Sequence, residues 1–215
     1  MIISRGRKYI FVHAPKTGGT SLTLALEDRA MKDDILIGDT PKAVKRRSRL
    51  GGLQAKGRLW KHSTLADIEG VVNADELDDF FLVTIVRNPW DRAVSYYHWL
   101  QTQGFEHAHV DLAKSTDFES FVSHPMVLTS FERGPYGSFM TDATGREREA
   151  HFIRIEKLAE DIVPLEQHLG FSIGELPHVN SSKRREDYRG YYSDRTRALI
   201  AKSCAIDIER FDYRF

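Results

Sequence analysis

The chain has 215 residues, and its 31 Lys and Arg residues are balanced by 31 Asp and Glu residues. This balance gives no net charge that would favour nucleic acid or an anionic membrane surface, and no nucleic-acid partner is expected. The length suits one domain with a substantial core, so we expect a single domain over residues 1–215. The one cysteine, Cys204, excludes an internal disulfide and indicates a reducing, cytoplasmic location. No apolar run approaches the about 20 residues that span a bilayer.

The first predicted elements are a strand at 8–13 and a helix at 19–30, joined by a tight loop. Gly18 and Gly19 allow positive φ angles and a close approach of the backbone to a ligand. The N–H groups at the start of the helix favour an anion. Four further side chains of the loop can bind phosphate or sulfate: Lys16, Thr17, Thr20 and Ser21. A glycine-rich turn without a ligand is the alternative.

The loop differs from the nucleotide-binding pattern G-x-x-x-x-G-K-[ST], because Lys16 precedes both glycines. The strand predicted at 80–86 is followed by Arg87-Asn88-Pro89 and lacks the Asp that holds Mg²⁺ in mononucleotide enzymes. The chain also contains no CxxC or HExxH pattern. We therefore expect cations, and no metal, to neutralise the bound anion.

Residues 32–61 are predicted to be irregular, and residues 63–70 to form a short helix with Ser63 as its cap. The irregular stretch is basic and has three interpretations: a solvated, mobile loop, a surface for an anionic acceptor such as a polysaccharide, or a nucleic-acid surface. The last is disfavoured because Trp60 is its only aromatic residue. The cations of this stretch are Lys42, Lys45, Arg46, Arg47, Arg49, Lys56, Arg58 and Lys61.

A second polar cluster follows the 80–86 strand. Asn88 and Pro89 predict the N-cap and first residue of a helix at 89–101. Arg87 then lies at the carboxyl end of a buried strand, where open α/β sheets bind ligands, and Ser95 lies two turns into the helix. Both could hold a second anionic group of the same ligand. In the alternative interpretation Arg87 pairs with Asp91 and Ser95 is a surface residue.

The remaining pattern predicts helices, one further strand and a long loop. These are a helix at 118–122, a loop at 123–148, a strand at 151–155, a helix with the apolar face Leu158, Ile162, Leu165 and Leu169, and a last helix at 193–210. Pro164 is expected to start or kink the helix that Gly170 ends. Strands that alternate with helices predict a parallel sheet.

The two polar motifs resemble those of sulfotransferases that use 3′-phosphoadenosine-5′-phosphosulfate (PAPS). The likeness is to the carbohydrate type related to heparan sulfate 2-O-sulfotransferase and its small bacterial relatives. Pro15–Ser21 has the family pattern P-K-T-G-G-T-S, and Arg87–Tyr97 has R-N-P-x-x-R-x-x-S-x-Y. The resemblance implies that the first motif binds the 5′-phosphosulfate. It implies that Arg87 and Ser95 bind the 3′-phosphate.

The resemblance extends to the polar segment Ser182-Lys183-Arg184, which it implies closes over the 3′-phosphate. A polar linker is the alternative interpretation of this segment. The family's P-loop-like fold implies three layers, with a central parallel sheet flanked by helices.

Sulfuryl transfer to a hydroxyl needs a base for the acceptor proton and a cation for the leaving phosphate oxygen. Lys16 suits the second task. His62 suits the first, since an imidazole titrates near neutral pH. The resemblance places a base between the two motifs, where His62 is the only histidine; the alternative is a surface histidine. His13 is expected to pack against the loop or orient it, and His178 to line the substrate side.

These features predict a metal-independent sulfotransferase that moves the sulfuryl group from PAPS to an acceptor hydroxyl on a carbohydrate and leaves the desulfated product PAP. The alternatives are a P-loop nucleotide kinase or NTPase and a non-catalytic anion- or polysaccharide-binding protein. The absence of the Walker order and of the strand-end Asp argues against the kinase. Lys16 and a candidate base argue against the binding protein. Neither the acceptor nor the oligomeric state follows from the sequence.

Overall fold

The computed structural model describes residues 1–177 and 187–215. The described chain groups into two compact units. The first unit contains residues 1–86 and 136–177, and the second contains residues 87–135 and 187–215. The single domain expected over residues 1–215 stays a prediction.

The first unit contains a five-stranded sheet. Its strands are β1 (Ile2–Ser4), β2 (Tyr9–Val12), β3 (Ile35–Leu36), β4 (Phe81–Val86) and β5 (His151–Arg154), in the order β3-β1-β2-β4-β5. The predicted parallel sheet is confirmed for β2, β4 and β5. β1 pairs antiparallel with β2 and with β3, so the sheet as a whole is mixed.

Alternating side chains of this sheet enter two separate cores. Tyr9 and Phe11 pack on one face, whereas Ile10 and Val12 pack on the other, as the two-residue period of a strand requires. Leu22 from the first helix packs against the first face and Leu77 against the second. The result is the α/β arrangement predicted from the sequence, with helices on both faces of a central sheet.

The helices of the first unit are α1 (Gly19–Asp28), α2 (Pro41–Arg46) and α3 (Ala74–Asp79) before β4. The helices numbered α8 (Tyr136–Phe139), α9 (Leu158–Asp161) and α10 (Val163–Leu169) complete it. The second unit contains α4 (Pro89–Gln101), α5 (Ala108–Ser115), α6 (Phe118–Ser123), α7 (Pro125–Arg133), α11 (Asp194–Ser203) and α12 (Ala205–Phe211). Short 3₁₀ turns lie at Arg47–Gly52, Ile155–Lys157 and Tyr188–Tyr191. No helix of residues 1–177 or 187–215 is long and apolar enough to cross a membrane.

Three predicted elements were wrong. Residues 63–70 form turns rather than a helix, because the backbone N–H groups of Leu65 and Ala66 donate to Phe139 and Thr141. The predicted loop at 123–148 contains α7 and α8. The last predicted helix divides into α11 and α12 at Cys204.

The basic stretch is also more ordered than predicted, and several of its cations make local contacts. Thr40 caps α2, and the side chain of Lys42 donates to the carbonyl oxygen of Glu27. Arg46 and Arg49 donate to backbone carbonyl oxygens of the segment between α1 and β3. These contacts argue against a mobile loop.

Candidate functional site

The loop predicted to bind an anion lies between the carboxyl end of β2 and the first turn of α1. Lys16 has a φ of 65°, a left-handed conformation that residues with a side chain rarely adopt. Gly18 is the N-cap of α1 with a φ of 83°. A glycine at the N-cap offers no side-chain acceptor to the N–H groups of the first turn. Of the two glycines, Gly18 has a positive φ and Gly19 does not, so the predicted anion cradle stays a prediction. The strain at Lys16 is of the kind that gathers at functional sites.

Both glycines of the loop are tightly packed. A Cβ atom at residue 18 would overlap the side chain of Ile155, which follows β5. A Cβ atom at residue 19 would lie 2.6 Å from Nε2 of His13. A side chain at residue 18 would have to displace the flexible end of Ile155, and one at residue 19 the ring of His13. The positive φ of Gly18 adds a conformational need for glycine there.

The hydroxyl groups of the loop do not all have the predicted role. The buried Thr17 hydroxyl donates to the carbonyl oxygen of Ala14 at 2.8 Å, so its proton holds the loop together and is not available to a ligand. Thr20 and Ser21 are partly exposed in the first turn of α1. Thr20, Asp39 and Lys61 line a small cavity beside His13. Thr20 and Ser21 are the better candidates for hydroxyl donors.

The candidate base His62 lies beside the end of β2. Its Nδ1 is 2.7 Å from the carbonyl oxygen of His13. A carbonyl oxygen only accepts, so Nδ1 carries the proton and Nε2 keeps its lone pair. This is the tautomer that a general base needs.

Burial controls the protonation of both histidines. Desolvation lowers the pKa of His62 from 6.5 to about 4, and the positive charge of Lys61 acts in the same direction. Burial also lowers the pKa of His13, as do the charges of Lys61 and Lys16. Both rings are therefore neutral at pH 7, and the near-neutral titration expected of His62 is wrong because burial disfavours its charged form. The rings of His13 and His62 are in direct contact.

The surroundings of His62 are aromatic and basic. The ring of Trp60 meets His62 edge-on, with 5.0 Å between ring centroids, and Trp60 is 42% exposed. The guanidinium of Arg58 lies 5.5 Å from the centroid of Trp60. Lys61 and Asp39 form an ion pair of 2.7 Å. The contact of Trp60 with His62 was missed in the sequence, although its place two residues before the candidate base was a usable signal.

The second unit contains the Arg87 motif. Asn88 accepts from the backbone N–H of Trp90 at 3.0 Å, and Pro89 begins α4, so the predicted start of this helix is confirmed. Arg87 forms an ion pair with Asp91, with Nε and Oδ2 2.7 Å apart. Ser95 is buried in α4 rather than exposed. The ion pair of the alternative interpretation is therefore present, whereas the surface position that it gave to Ser95 is wrong.

The predicted residues Ser182, Lys183, Arg184 and His178 lie outside the described residues. Among residues 1–177 and 187–215, no group of three or more His, Cys, Asp or Glu side chains is placed to hold a metal ion.

Comparisons with known proteins define the class of fold. No family model matches the chain, and no curated protein matches its sequence. The fold is that of sulfotransferases. It is similar to the crystal structure of mouse sulfotransferase SULT7A1 complexed with PAP, with a TM-score of 0.53. The two chains are 17% identical over 98% of this chain and 87% of the mouse chain.

Proposed function

We propose that this protein is a PAPS-dependent sulfotransferase that acts on an acceptor hydroxyl of a carbohydrate. The observation that carries the proposal is the combination, in one unit, of a strained Lys16, a glycine N-cap and a histidine with a free Nε2 lone pair. The fold shared with a sulfotransferase that was crystallised with PAP supports the same conclusion. A single domain and a cytoplasmic location belong to this proposal.

The residues of the loop fit a 5′-phosphosulfate. Gly18 is the N-cap of α1 and offers no side-chain cap, so the N–H groups of the first helical turn are the groups that would bind the anion. Lys16 supplies positive charge, and Thr20 and Ser21 supply hydroxyl donors. Arg87 and Ser95 would bind the 3′-phosphate, and Arg87 would then exchange or share its contact with Asp91.

The chain's own groups divide the proton and charge transfers of the reaction. PAPS would supply a sulfuryl group whose bond to the 5′-phosphate breaks as the acceptor oxygen bonds to sulfur. His62 would take the acceptor proton at Nε2, while its Nδ1–H stays on the carbonyl oxygen of His13. Lys16 would stabilise the negative charge that develops on the leaving phosphate oxygen.

The exposed ring of Trp60 supports a carbohydrate acceptor. Trp60 contacts His62 directly, and Arg58 covers part of its ring. A sugar can stack its C–H groups on an indole and so present a hydroxyl to the neighbouring base. Arg58 and Lys61 would favour sugars that carry carboxylate or sulfate groups.

A transfer assay with radiolabelled PAPS tests the proposal. The acceptors would be neutral polysaccharides, uronate-containing polysaccharides and simple alcohols, each offered with and without EDTA. We expect label on a uronate-containing polysaccharide, with no effect of EDTA, and a Trp60→Ala variant with raised KM for that acceptor. His168→Ala, which removes an exposed histidine elsewhere in the unit, serves as the control.

The same assay separates the alternatives. Phosphoryl transfer from Mg·ATP to any acceptor would favour the kinase. Binding of PAPS without transfer to any acceptor class would favour the non-catalytic binding protein.

A further inference from the structure

The ring of His13 lies between the anion loop and the candidate base. His13 directly follows β2 and is 7% exposed. Its ring meets that of His62 edge-on, with centroids 4.8 Å apart and an interplanar angle of 73°. It also stacks on Phe11, with centroids 6.0 Å apart. Two aromatic neighbours thus fix the plane and position of the His13 ring.

The same ring also limits the first residue of α1. A Cβ atom at Gly19 would lie 2.6 Å from Nε2 of His13 and still nearer to its Cδ2. Real Cβ atoms do not approach other heavy atoms so closely, so an alanine at residue 19 would displace the ring. Any destabilisation by alanine at residue 19 would come from this contact, because alanine is otherwise favoured over glycine in a helix.

The contacts suit His13 for packing rather than for proton transfer. Burial, and then the nearby charges of Lys61 and Lys16, lower the pKa of His13 and keep its ring neutral. Its backbone carbonyl, and not its side chain, accepts the Nδ1–H of His62. One residue therefore sets the tautomer of His62 through its backbone and the position of the His62 ring through its side chain.

We propose that His13 is a positioning residue that holds the imidazole of His62 at a fixed place relative to the first turn of α1. Residue 19 is then glycine because any side chain would move the His13 ring and, through it, His62. The consequence for catalysis rests on the proposed function. The link between Gly19, His13 and His62 does not, and it can be measured without substrate.

The first experiment measures the link in the purified protein without ligand. Gly19→Ala, His13→Ala and the double variant are compared by thermal unfolding, with Gly51→Ala as the control because nothing lies within 4 Å of that position. We expect Gly19→Ala to lower Tm by about 2–4 °C or more. In the His13→Ala background the same change should have no such cost, since the ring is absent. Equal costs in both backgrounds would overturn the link.

NMR titration of His62 measures its pKa, which a change in global stability alone does not alter. Loss or displacement of the His13 ring exposes His62 to water, so its pKa should rise by about half a unit or more in both single variants. An unchanged titration in both folded variants would overturn the positioning role.

The catalytic consequence is measured separately. With a working transfer assay, Gly19→Ala and His13→Ala should lower kcat between about tenfold and a hundredfold. Normal kcat in both variants would overturn the positioning role while the proposed function stands. Shifted His62 titrations in a protein that transfers no sulfuryl group would contradict the proposed function and leave the link intact.

Discussion

Nδ1 of His62 donates to the carbonyl oxygen of His13 over 2.7 Å, and this one bond leaves the Nε2 lone pair for an incoming proton. The two residues are separated by 49 positions in the chain. The fold thus sets the tautomer that the proposed base role of His62 requires before any substrate is present.

His62→Ala should lower turnover by about 10²–10⁴-fold, because a positioned general base contributes that much. The affinity for PAP should stay within a few-fold, since His62 has no proposed contact with the nucleotide. Transfer kinetics and calorimetry on the same preparation check both expectations. His168→Ala is the matched control, because His168 is exposed and also contacts a backbone carbonyl, that of Arg7. Wild-type turnover in His62→Ala would show that His62 is not the general base.

The low pKa of His62 predicts how stability depends on pH. The folded pKa of about 4 lies below the ordinary 6.5, so the unfolded chain binds more protons between these values. The free energy of unfolding should therefore fall as pH drops from about 6.5 to 4, with at most about 1.4 kcal/mol per pH unit from this group. Denaturant unfolding of His62→Phe should show a shallower dependence of stability on pH than that of the wild type. Identical slopes for the two proteins would contradict the burial of His62.

Lys16→Ala should reduce turnover by about a hundredfold or more, as the loss of an electrostatic stabiliser does. The fold should survive, because Lys16 already has a φ of 65° and alanine adds no new strain. Lys16→Gly should be at least as stable as the wild type while equally impaired, which separates charge from conformation. Lys45→Ala, on the exposed surface of α2, is the control, and retained turnover in both Lys16 variants would refute the role of Lys16.

Gly18→Ala should lower the free energy of unfolding by more than Gly170→Ala. Both glycines have positive φ angles, 83° and 74°, so each change costs about 1–2 kcal/mol from the backbone. Only Gly18 also faces a side chain, that of Ile155, and nothing lies within 4 Å of Gly170. In an Ile155→Ala background, urea titrations should show similar losses in the free energy of unfolding for Gly18→Ala and Gly170→Ala. Equal costs in the wild-type background would show that Ile155 does not restrict the loop.

Local signals in the sequence were sufficient for the elements that carry the site. Asn88 and Pro89 predicted the first residue of α4, and the Pro-Lys-Thr-Gly-Gly run predicted the position of the loop between β2 and α1. These signals are local because a cap and a glycine act within one turn of the residue itself.

Elements that depend on distant partners could not be predicted in this way. β1 and β3 have three and two residues, and each is defined by its pairing across the sheet. Ser63, predicted to cap a helix, instead donates to the carbonyl oxygens of Arg58 and Trp60 and holds a turn. The contact of His62 with His13 is of the same kind, since nothing near residue 62 indicates its partner.

Recognition of the 3′-phosphate is the most direct test of the account, and calorimetric titration with PAP and with AMP measures it. The wild type should bind PAP with much higher affinity than AMP. Arg87→Ala should weaken PAP binding about 10- to 100-fold, because a charge-assisted hydrogen bond contributes about 1.5–3 kcal/mol. Ser95→Ala should have a milder effect of the same kind, and Arg195→Ala, in the exposed part of α11, none. AMP binding should barely change in any variant, since AMP lacks the 3′-phosphate. Equal losses of affinity for PAP and AMP would contradict the account. So would unchanged PAP affinity in Arg87→Ala, which would mean that Arg87 serves only its ion pair with Asp91.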